Sequence, residues 1–596
     1  MFKTKNYKRS FYERICKMIK EIFDKYFKKE LPQIITRLLT AWITVSLFFM
    51  ITSREDFTSL DFFAGSNFAV FILCTASLFL FLFFIPKEMP AAMLLIGLAF
   101  IYCVFAAAKC SDFYFLLGCC AVISGIVYYS KTENFHLTVP KTALWIAAVI
   151  IMLLFTALVG ITCSLKYKNH WTPCYDFGIF SQMFYYMKET GQALVTCERD
   201  GLLSHFAVHF SPIFYLLLPF YCLLPSPVTL MIGQCAVVAA GVFPLVKICK
   251  NHKLSNAASL AFALCYILYP VFTGGCLFYI HENNFLAPLI LFLIYFLERK
   301  KTVVVFIFAL LNLLVKEDAA VYVAVVSLYF IFANKNYKCN FSLLVFSIIY
   351  FICVTGMLSA YGDGVMTGRY ENYIYDDGGL FSVIKAAVQN PLYVVYQSVT
   401  EKKIMFILQM LVPLLFMPFC SKKASRLILL IPFLLVNIMT NYVYQYDIDY
   451  QYGFGSGAIL IYMSVINYAD MGNKRKKLLL CSVLSSIIIF VGTYGGRLNY
   501  FGYYERTAEQ RKTIDYAVSL VPDNASVSCS TFILPNMSDR KELYHLESTK
   551  QVTEYYVVDL RLDAGKEKVE DFYTDSFEVM FLRENTVGVF KRVITS

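Results

Sequence analysis

The feature that most constrains this chain is a succession of apolar runs, each close to the length that crosses a lipid bilayer. A spanning helix needs roughly 17–25 predominantly apolar residues. Runs of this kind lie near 33–53, 67–86, 89–108, 112–129 and 142–164. More follow near 227–249, 254–275, 284–298, 302–315, 318–333, 341–360, 403–420, 425–443, 453–469 and 477–493. Hydrophobic residues make up 58% of the chain and charged residues only 16%, against roughly 25% charged in a soluble domain. The pattern predicts an α-helical polytopic membrane protein with about 15 spans over residues 33–494, followed by a small soluble domain.

The net charge of +11 does not point to nucleic acid. The Lys and Arg residues sit in short loops between apolar runs, as cytoplasmic loops do under the positive-inside rule. Residues 1–32 are basic, with Phe11, Ile15, Met18, Ile22 and Tyr26 at helical spacing. This predicts a cytoplasmic amphipathic helix lying against anionic lipid, with a disordered basic tail as the alternative. No cleavage site precedes the first apolar run, so no cleavable signal peptide is expected.

With the N-terminus inside, the fifth span ends outside, and the long polar loop 165–205 is extracytoplasmic. Residues 206–224 are apolar enough to span. If they did, Lys247, Lys250 and Lys253 would fall on the wrong face. Treated instead as an interfacial segment, they leave those bases inside, together with Arg299–Lys301, Lys335, Lys338, Lys422, Lys423, Arg426 and Lys474–Lys477. One assumption orders four loops.

After Tyr494 the chain becomes charged. Tyr504–Leu520 reads as a helix, and Ala525–Ser530, Tyr555–Leu560, Phe577–Leu582 and Thr586–Val593 read as strands. Residues 495–596 are therefore an α/β domain, extracytoplasmic by the span count. The 19 Cys are scattered, many within apolar runs, with no CxxC pair. They read as buried small hydrophobes.

Ionisable groups abutting membrane spans are functional candidates. The outer loops carry His170, His205, His209 and His281, and also Asp176, Glu282, Lys316, Glu317 and Asp318. For His170 or Glu198 an ordinary solvated loop explains the residue. Asp176, Glu282 and the Lys316-Glu317-Asp318 turn each follow or precede a long apolar run, which favours function. His209, His281, Glu282 and Asp318 could collect a divalent metal, Mg or Mn by the hardness of their oxygens. Alternatively, His281 and Glu282 orient an acceptor or cap a helix. Lys316 has a salt bridge to Glu282, Glu317 or Asp318 as its plain alternative. The run Tyr442–Tyr452 offers rings and polar atoms to a sugar, or forms an aromatic belt. The glycine-rich segment 361–380 reads as a lid or an ordinary loop.

In order, Tyr175-Asp176-Phe177-Gly178-Ile179-Phe180, His209-Phe210-Ser211-Pro212, Pro225-Ser226-Pro227, His281-Glu282 and Val315-Lys316-Glu317-Asp318 resemble a bacterial membrane-protein family, domain of unknown function 2079. That family in turn resembles the GT-C glycosyltransferases. The resemblance implies a GT-C-like bundle that takes a sugar from a polyprenyl-phosphate carrier on the extracytoplasmic side. It implies an acidic residue in the first large outer loop, matched by Asp176, and interfacial helices, matched by 181–190 and 206–224. Two departures stand out. About four spans precede the one leading into the loop, and Cys174 takes the place of a second acid.

The chemistry agrees with that assignment. Attack on an anomeric carbon needs a base for the acceptor hydroxyl. A phosphate leaving group needs charge stabilisation. Asp176 is the expected base. Lys316 and then Arg369 are the expected phosphate ligands. Tyr175, His209, His281, Glu282, Glu317, Asp318, Tyr450 and Tyr452 are expected to bind or orient substrate. The implied partners are a lipid-linked sugar donor, membrane lipids, and a glycan, lipid or protein acceptor of the cell envelope. The competing readings are a transporter or flippase for an amphiphile, which would bury charges mid-span, and a non-catalytic envelope scaffold.

Overall fold

A computed structural model describes residues 15, 17–21, 30–53, 55–65, 67–82, 88–130, 137–334, 336–364, 366–471 and 475–593. The basic helix expected over 1–32 falls largely outside them. The chain is mostly helical and divides into two compact units, residues 1–137 with 473–493, and residues 138–472 with 494–596.

In the first unit, Leu31–Thr52, Phe68–Leu82, Glu88–Ala107 and Phe113–Tyr129 are helices, as their apolar runs predict. Leu116, Ile123 and Val127 are buried along one face of the last of these. Gly492 lies against Leu116, where any side chain would collide.

Most of the helix Arg475–Leu498 also belongs to the first unit, and the second unit holds most of the other helices. Every other predicted span coincides with helical structure, although prolines break several. Pro270 divides 254–275 into Asn256–Ile267 and Pro270–Leu277. In 403–420 a regular helix ends at Leu411, and the chain passes Pro413 and Pro418 in short 3₁₀ turns. Residues 425–443 follow 3₁₀ and π turns. Among the described residues, six helices are long and apolar enough to cross a membrane, including Lys141–Lys168, Pro227–Asn251 and Tyr337–Tyr361. The segment 206–224 is not one continuous helix. It runs through 3₁₀ turns at His205–Ala207 and Pro212–Leu216 into a single helical stretch, Leu218–Leu223, that starts beside Pro219.

The loops of this unit gather in two groups. In one, Glu298 accepts from His252 at 2.7 Å and from Asn251 at 2.9 Å. Asn334 donates to the Leu297 carbonyl, and Arg426 pairs with Asp470 at 2.7 Å. The other group contains 169–211, 278–285, 315–318, 361–374 and 440–452. Its tight meeting depends on glycine. A Cβ on Gly274 would overlap the Ile448 carbonyl, and one on Gly275 would overlap the Phe454 ring. The 448–452 turn therefore lies directly on the helix that leads into His281.

A small hairpin, β1 (Leu194–Val195) and β2 (Leu203–Ser204), closes the first long loop. The C-terminal residues form a five-stranded mixed sheet from β3 (Val527–Cys529), β4 (Leu543–His545), β5 (Tyr555–Asp559), β6 (Phe577–Arg583) and β7 (Val587–Arg592), in order β4-β3-β5-β7-β6. β3 is parallel to both neighbours, while β5–β7 and β6–β7 are antiparallel. Four strands match the sequence expectation. The fifth, β4, has only three residues, too few for an alternating pattern to stand out.

The core beneath this sheet is not made by residues after 494 alone. Val527, Cys529, Val557, Val587 and Val589 pack with Ile514 and Ala517 from the preceding helix, and also with Cys174, Ile179, Val195 and Cys197. The first long loop supplies part of the domain's own interior.

Candidate active site

Asp176 enters the site from the turn Cys174–Gly178, directly after Pro173. Its neighbours in sequence anchor that turn. Cys174 and Phe177 are buried, and Gly178 meets the Leu534 side chain so closely that a Cβ there would collide. Upstream, the His170 imidazole reaches Asp515 at 2.8 Å. Arg561 donates to the His170 carbonyl at 2.6 Å, is held by Asp559, and stacks 4.2 Å over Trp171. Downstream, Gln182 donates to Thr196 at 2.8 Å and to the Arg540 carbonyl. Asp200 accepts from Thr549 and from the Lys550 backbone. Tyr175 points the other way, its hydroxyl 3.2 Å from Ser548 and its ring against His545.

The Asp176 carboxylate keeps 38% of its side-chain surface exposed. His281 Nε2 donates to Oδ2 at 2.7 Å. Among the described residues Oδ1 has no partner. Burial opposes the charge on Asp176, but the adjacent imidazole outweighs it and holds the carboxyl below its ordinary value. His281 itself is buried. Phe278 stacks on its ring at 5.3 Å and Phe180 meets it edge-on at 5.2 Å. Tyr450 packs on the same Phe278 at 4.4 Å.

Behind this pair lies a second layer of charge. Lys316 Nζ donates to Glu282 Oε1 at 2.7 Å, with both side chains almost wholly buried. Burial works against each charge. The partner prevails, so the Glu282 carboxyl lies well below its usual range and the Lys316 ammonium above its own. His209 Nδ1 donates to Glu317 at 2.9 Å. Burial and the Lys316 charge push His209 down despite that carboxylate. His205 donates to Glu198 at 2.9 Å. There burial is overridden, and the imidazole lies above its ordinary value. Asp318 goes the other way, its carboxyl pushed up to about 6 by burial.

Arg369 is held differently. Its guanidinium lies over the rings of Tyr442 and Tyr452, 4.8 and 5.1 Å from their centroids. It donates to the Tyr452 hydroxyl at 3.4 Å. Its backbone carbonyl accepts from Asn441 N at 2.9 Å and from Thr440 at 3.2 Å. Among the described residues no carboxylate lies within ion-pair distance of it. The 361–374 segment that carries it is pinned to the first loop, where Arg199 pairs with Asp363 at 2.8 Å and Asp363 N donates to the Ala207 carbonyl at 3.0 Å.

The predicted residues thus fall into one neighbourhood drawn from five segments. Among the described residues no three His, Cys, Asp or Glu side chains are arranged to hold an ion. His281, Glu282 and His209 are each turned to a protein partner instead. Sequence reasoning passed over the His205–Glu198 pair and the Tyr442 ring beneath Arg369. Arg369 did carry a signal, as the one Arg in the glycine-rich loop 361–402.

No curated protein matches this sequence. Two solved structures are similar over most of their length. ArnT from Cupriavidus metallidurans bound to undecaprenyl phosphate gives a TM-score of 0.49 at 10% identity, covering 76% of this chain and 99% of that one. Its apo state gives 0.46 at 10% identity, covering 75% and 98%. The family profile described as predicted membrane protein DUF2079 matches residues 166–563. That stretch contains the first loop, the His281-Glu282 and Lys316–Asp318 turns, Arg369 and the first three strands of the terminal sheet, and the chain belongs to the DUF2079 family.

Proposed function

We propose that this protein is a GT-C-type glycosyltransferase that moves a sugar from a polyprenyl-phosphate donor to a cell-envelope acceptor at the extracytoplasmic face. The observation that carries this reading is the state of Asp176. It is a partly open carboxylate, held below its ordinary pKa, with one oxygen fixed by His281 and the other without a partner among the described residues. A general base needs that combination of charge, fixed orientation and access.

Asp176 Oδ1 takes the proton of the acceptor hydroxyl as that oxygen bonds to the anomeric carbon. The bond from the anomeric carbon to the phosphate oxygen breaks, and its electron pair leaves with the polyprenyl phosphate. The charge gathering on the phosphate meets Arg369, whose planar guanidinium is pre-oriented by two ring faces and has donors to spare. Lys316 supports the site from behind. Its ammonium is committed to Glu282, so it acts through the local field rather than by touching phosphate. The three His–carboxylate pairs keep the floor of the site rigid. Tyr452 and Tyr450 present rings and hydroxyls around it, the surfaces a sugar packs and hydrogen-bonds against, while Tyr175 is turned to Ser548 and His545.

The test uses the full chain in proteoliposomes with a polyprenyl-phosphate-linked sugar and envelope acceptors. Asp176→Asn preserves shape and the His281 contact but cannot take a proton. Transfer should fall by roughly 10²–10⁴-fold while expression and melting behaviour stay close to wild type. Undiminished transfer by Asp176→Asn would remove the proposal.

A further inference from the structure

Two short helices, Leu380–Gln389 and Pro391–Ser398, follow the Arg369 turn and precede the helix Glu401–Leu411. Each is two-faced. On the first, Phe381, Ile384 and Val388 recur at i, i+3 and i+7 and are 61, 58 and 77% exposed. On the second, Leu392, Val395 and Tyr396, with Val399 just beyond, are 74, 54, 72 and 59% exposed. The opposite faces are occupied. Val383, Leu380, Ala386, Tyr393 and Val394 pack on Tyr370, Tyr373 and Met439. Tyr393 donates to the Asn372 carbonyl at 2.8 Å, and Asn372 donates to Gln397 at 3.3 Å.

A water-facing helix pair does not carry seven large apolar side chains on one stripe. Soluble surfaces rarely hold such contiguous patches without something covering them. The chain itself indicates what covers this one. The segment leaves Tyr337–Tyr361, a helix long and apolar enough to span, whose own Ile348, Ile349 and Ile352 are outward-facing. The exposed stripe thus follows closely in sequence a helix whose own apolar face is open to lipid. A two-faced helix with a basic residue beside its apolar stripe, here Lys385, suits the boundary between headgroups and hydrocarbon.

We infer that the helix pair 380–398 lies in the membrane interface with this stripe in the leaflet hydrocarbon, and that it is the lipid-side support of Arg369. The inference deepens the proposed function, because a lipid-borne phosphate is reached from hydrocarbon depth. The anchoring claim stands without any transfer activity. The connection runs through few bonds, from Tyr393 and Gln397 to Asn372, three residues from Arg369. The leaflet positions the guanidinium by holding the pair at a fixed depth.

The test places a photoreactive benzophenone side chain, one site at a time, at the positions of Val388, Tyr396 and Asp377, in the full chain reconstituted in phospholipid nanodiscs. After irradiation, mass spectrometry should find lipid adducts at 388 and 396, and at least about tenfold fewer at 377, where hydrocarbon is out of reach. Absence of lipid adducts at 388 and 396 would overturn the inference, as would cross-links there to a second copy of the chain. Loss of transfer by Asp176→Asn has no bearing on these adducts, so the two readings fail separately.

Discussion

Lys316 and Glu282 face each other at 2.7 Å with 3% and 2% of their side chains exposed. Two charges so deeply desolvated stand only while both are present. Removing one partner, by Lys316→Met or Glu282→Gln, strands the other and should cost about 3–5 kcal/mol. The double variant should recover much of that loss. Thermal unfolding of the four proteins in one detergent measures it as a double-mutant cycle.

Arg369 makes a contrasting prediction. Its guanidinium stacks on ring faces with no carboxylate at ion-pair distance among the described residues, although the buried Asp318 and Glu317 still feel its charge. Arg369→Lys keeps the charge but loses the planar stack on Tyr442 and Tyr452. Melting behaviour should be nearly unchanged, whereas kcat/KM for a polyprenyl-phosphate sugar should fall about tenfold, ~1.4 kcal/mol. A steady-state series in donor concentration reads this directly.

The His281–Asp176 contact sets a pH dependence. The imidazole holds the carboxyl below its ordinary value against the effect of burial. In His281→Ala burial and the nearby Glu282 charge are opposed only by Lys316, the smallest of these effects, so the carboxyl rises. A base is active above its pKa, and the acid limb of the kcat/KM profile should therefore move to higher pH. The profile of the variant against wild type between pH 4 and 8 checks the direction.

Asp318 gives a pH dependence of stability with the opposite origin. Its carboxyl is pushed up to about 6, burial being the largest cause, from about 3.9 in an unfolded chain. Between those values the folded state holds the proton more tightly than the unfolded state does. Stability contributed by this group is thus fully present below the lower value and is lost as pH rises towards 6. Asp318→Asn should flatten that part of the curve, seen as a melting midpoint that no longer drops between pH 4 and 6.

Arg561 joins the terminal sheet to the turn before Asp176 by one guanidinium, bonded to Asp559 and the His170 carbonyl and stacked on Trp171. Asp559 is 1% exposed, so Arg561→Ala leaves a buried charge unpaired, at about 3–5 kcal/mol. The first long loop should loosen with it. Limited proteolysis should cut between Lys166 and Arg199 many times faster than in wild type.

Much of this arrangement was legible in the sequence because bilayer crossing imposes a strong local signature. Most of the apolar runs became helices, and 206–224, read as interfacial, is broken at Pro212 and Pro219 rather than forming one helix. The ordered motifs marked Asp176, His281-Glu282 and Lys316–Asp318, and these do meet. What stayed hidden was pairing. Nothing local distinguishes Glu282 from Glu317 as the partner of Lys316, because the choice depends on how three helices end in space. The shared core was also hidden. Cys174, Val195 and Cys197 read as ordinary loop apolars, since their partners Ile514 and Val557 lie in a distant part of the chain. β4 was too short to show a period, and Tyr442 beneath Arg369 looked like any other tyrosine in a tyrosine-rich run.

The shared core has a consequence for biosynthesis. His170 and its partner Asp515 are separated by 345 positions. At roughly 5–20 residues per second, the ribosome needs on the order of 20–70 s to make the second after the first. Throughout that interval the nascent turn around Asp176 lacks the hydrophobic floor that shapes it. The turn around Asp176 is therefore set in place only when the last strands fold beneath the loop.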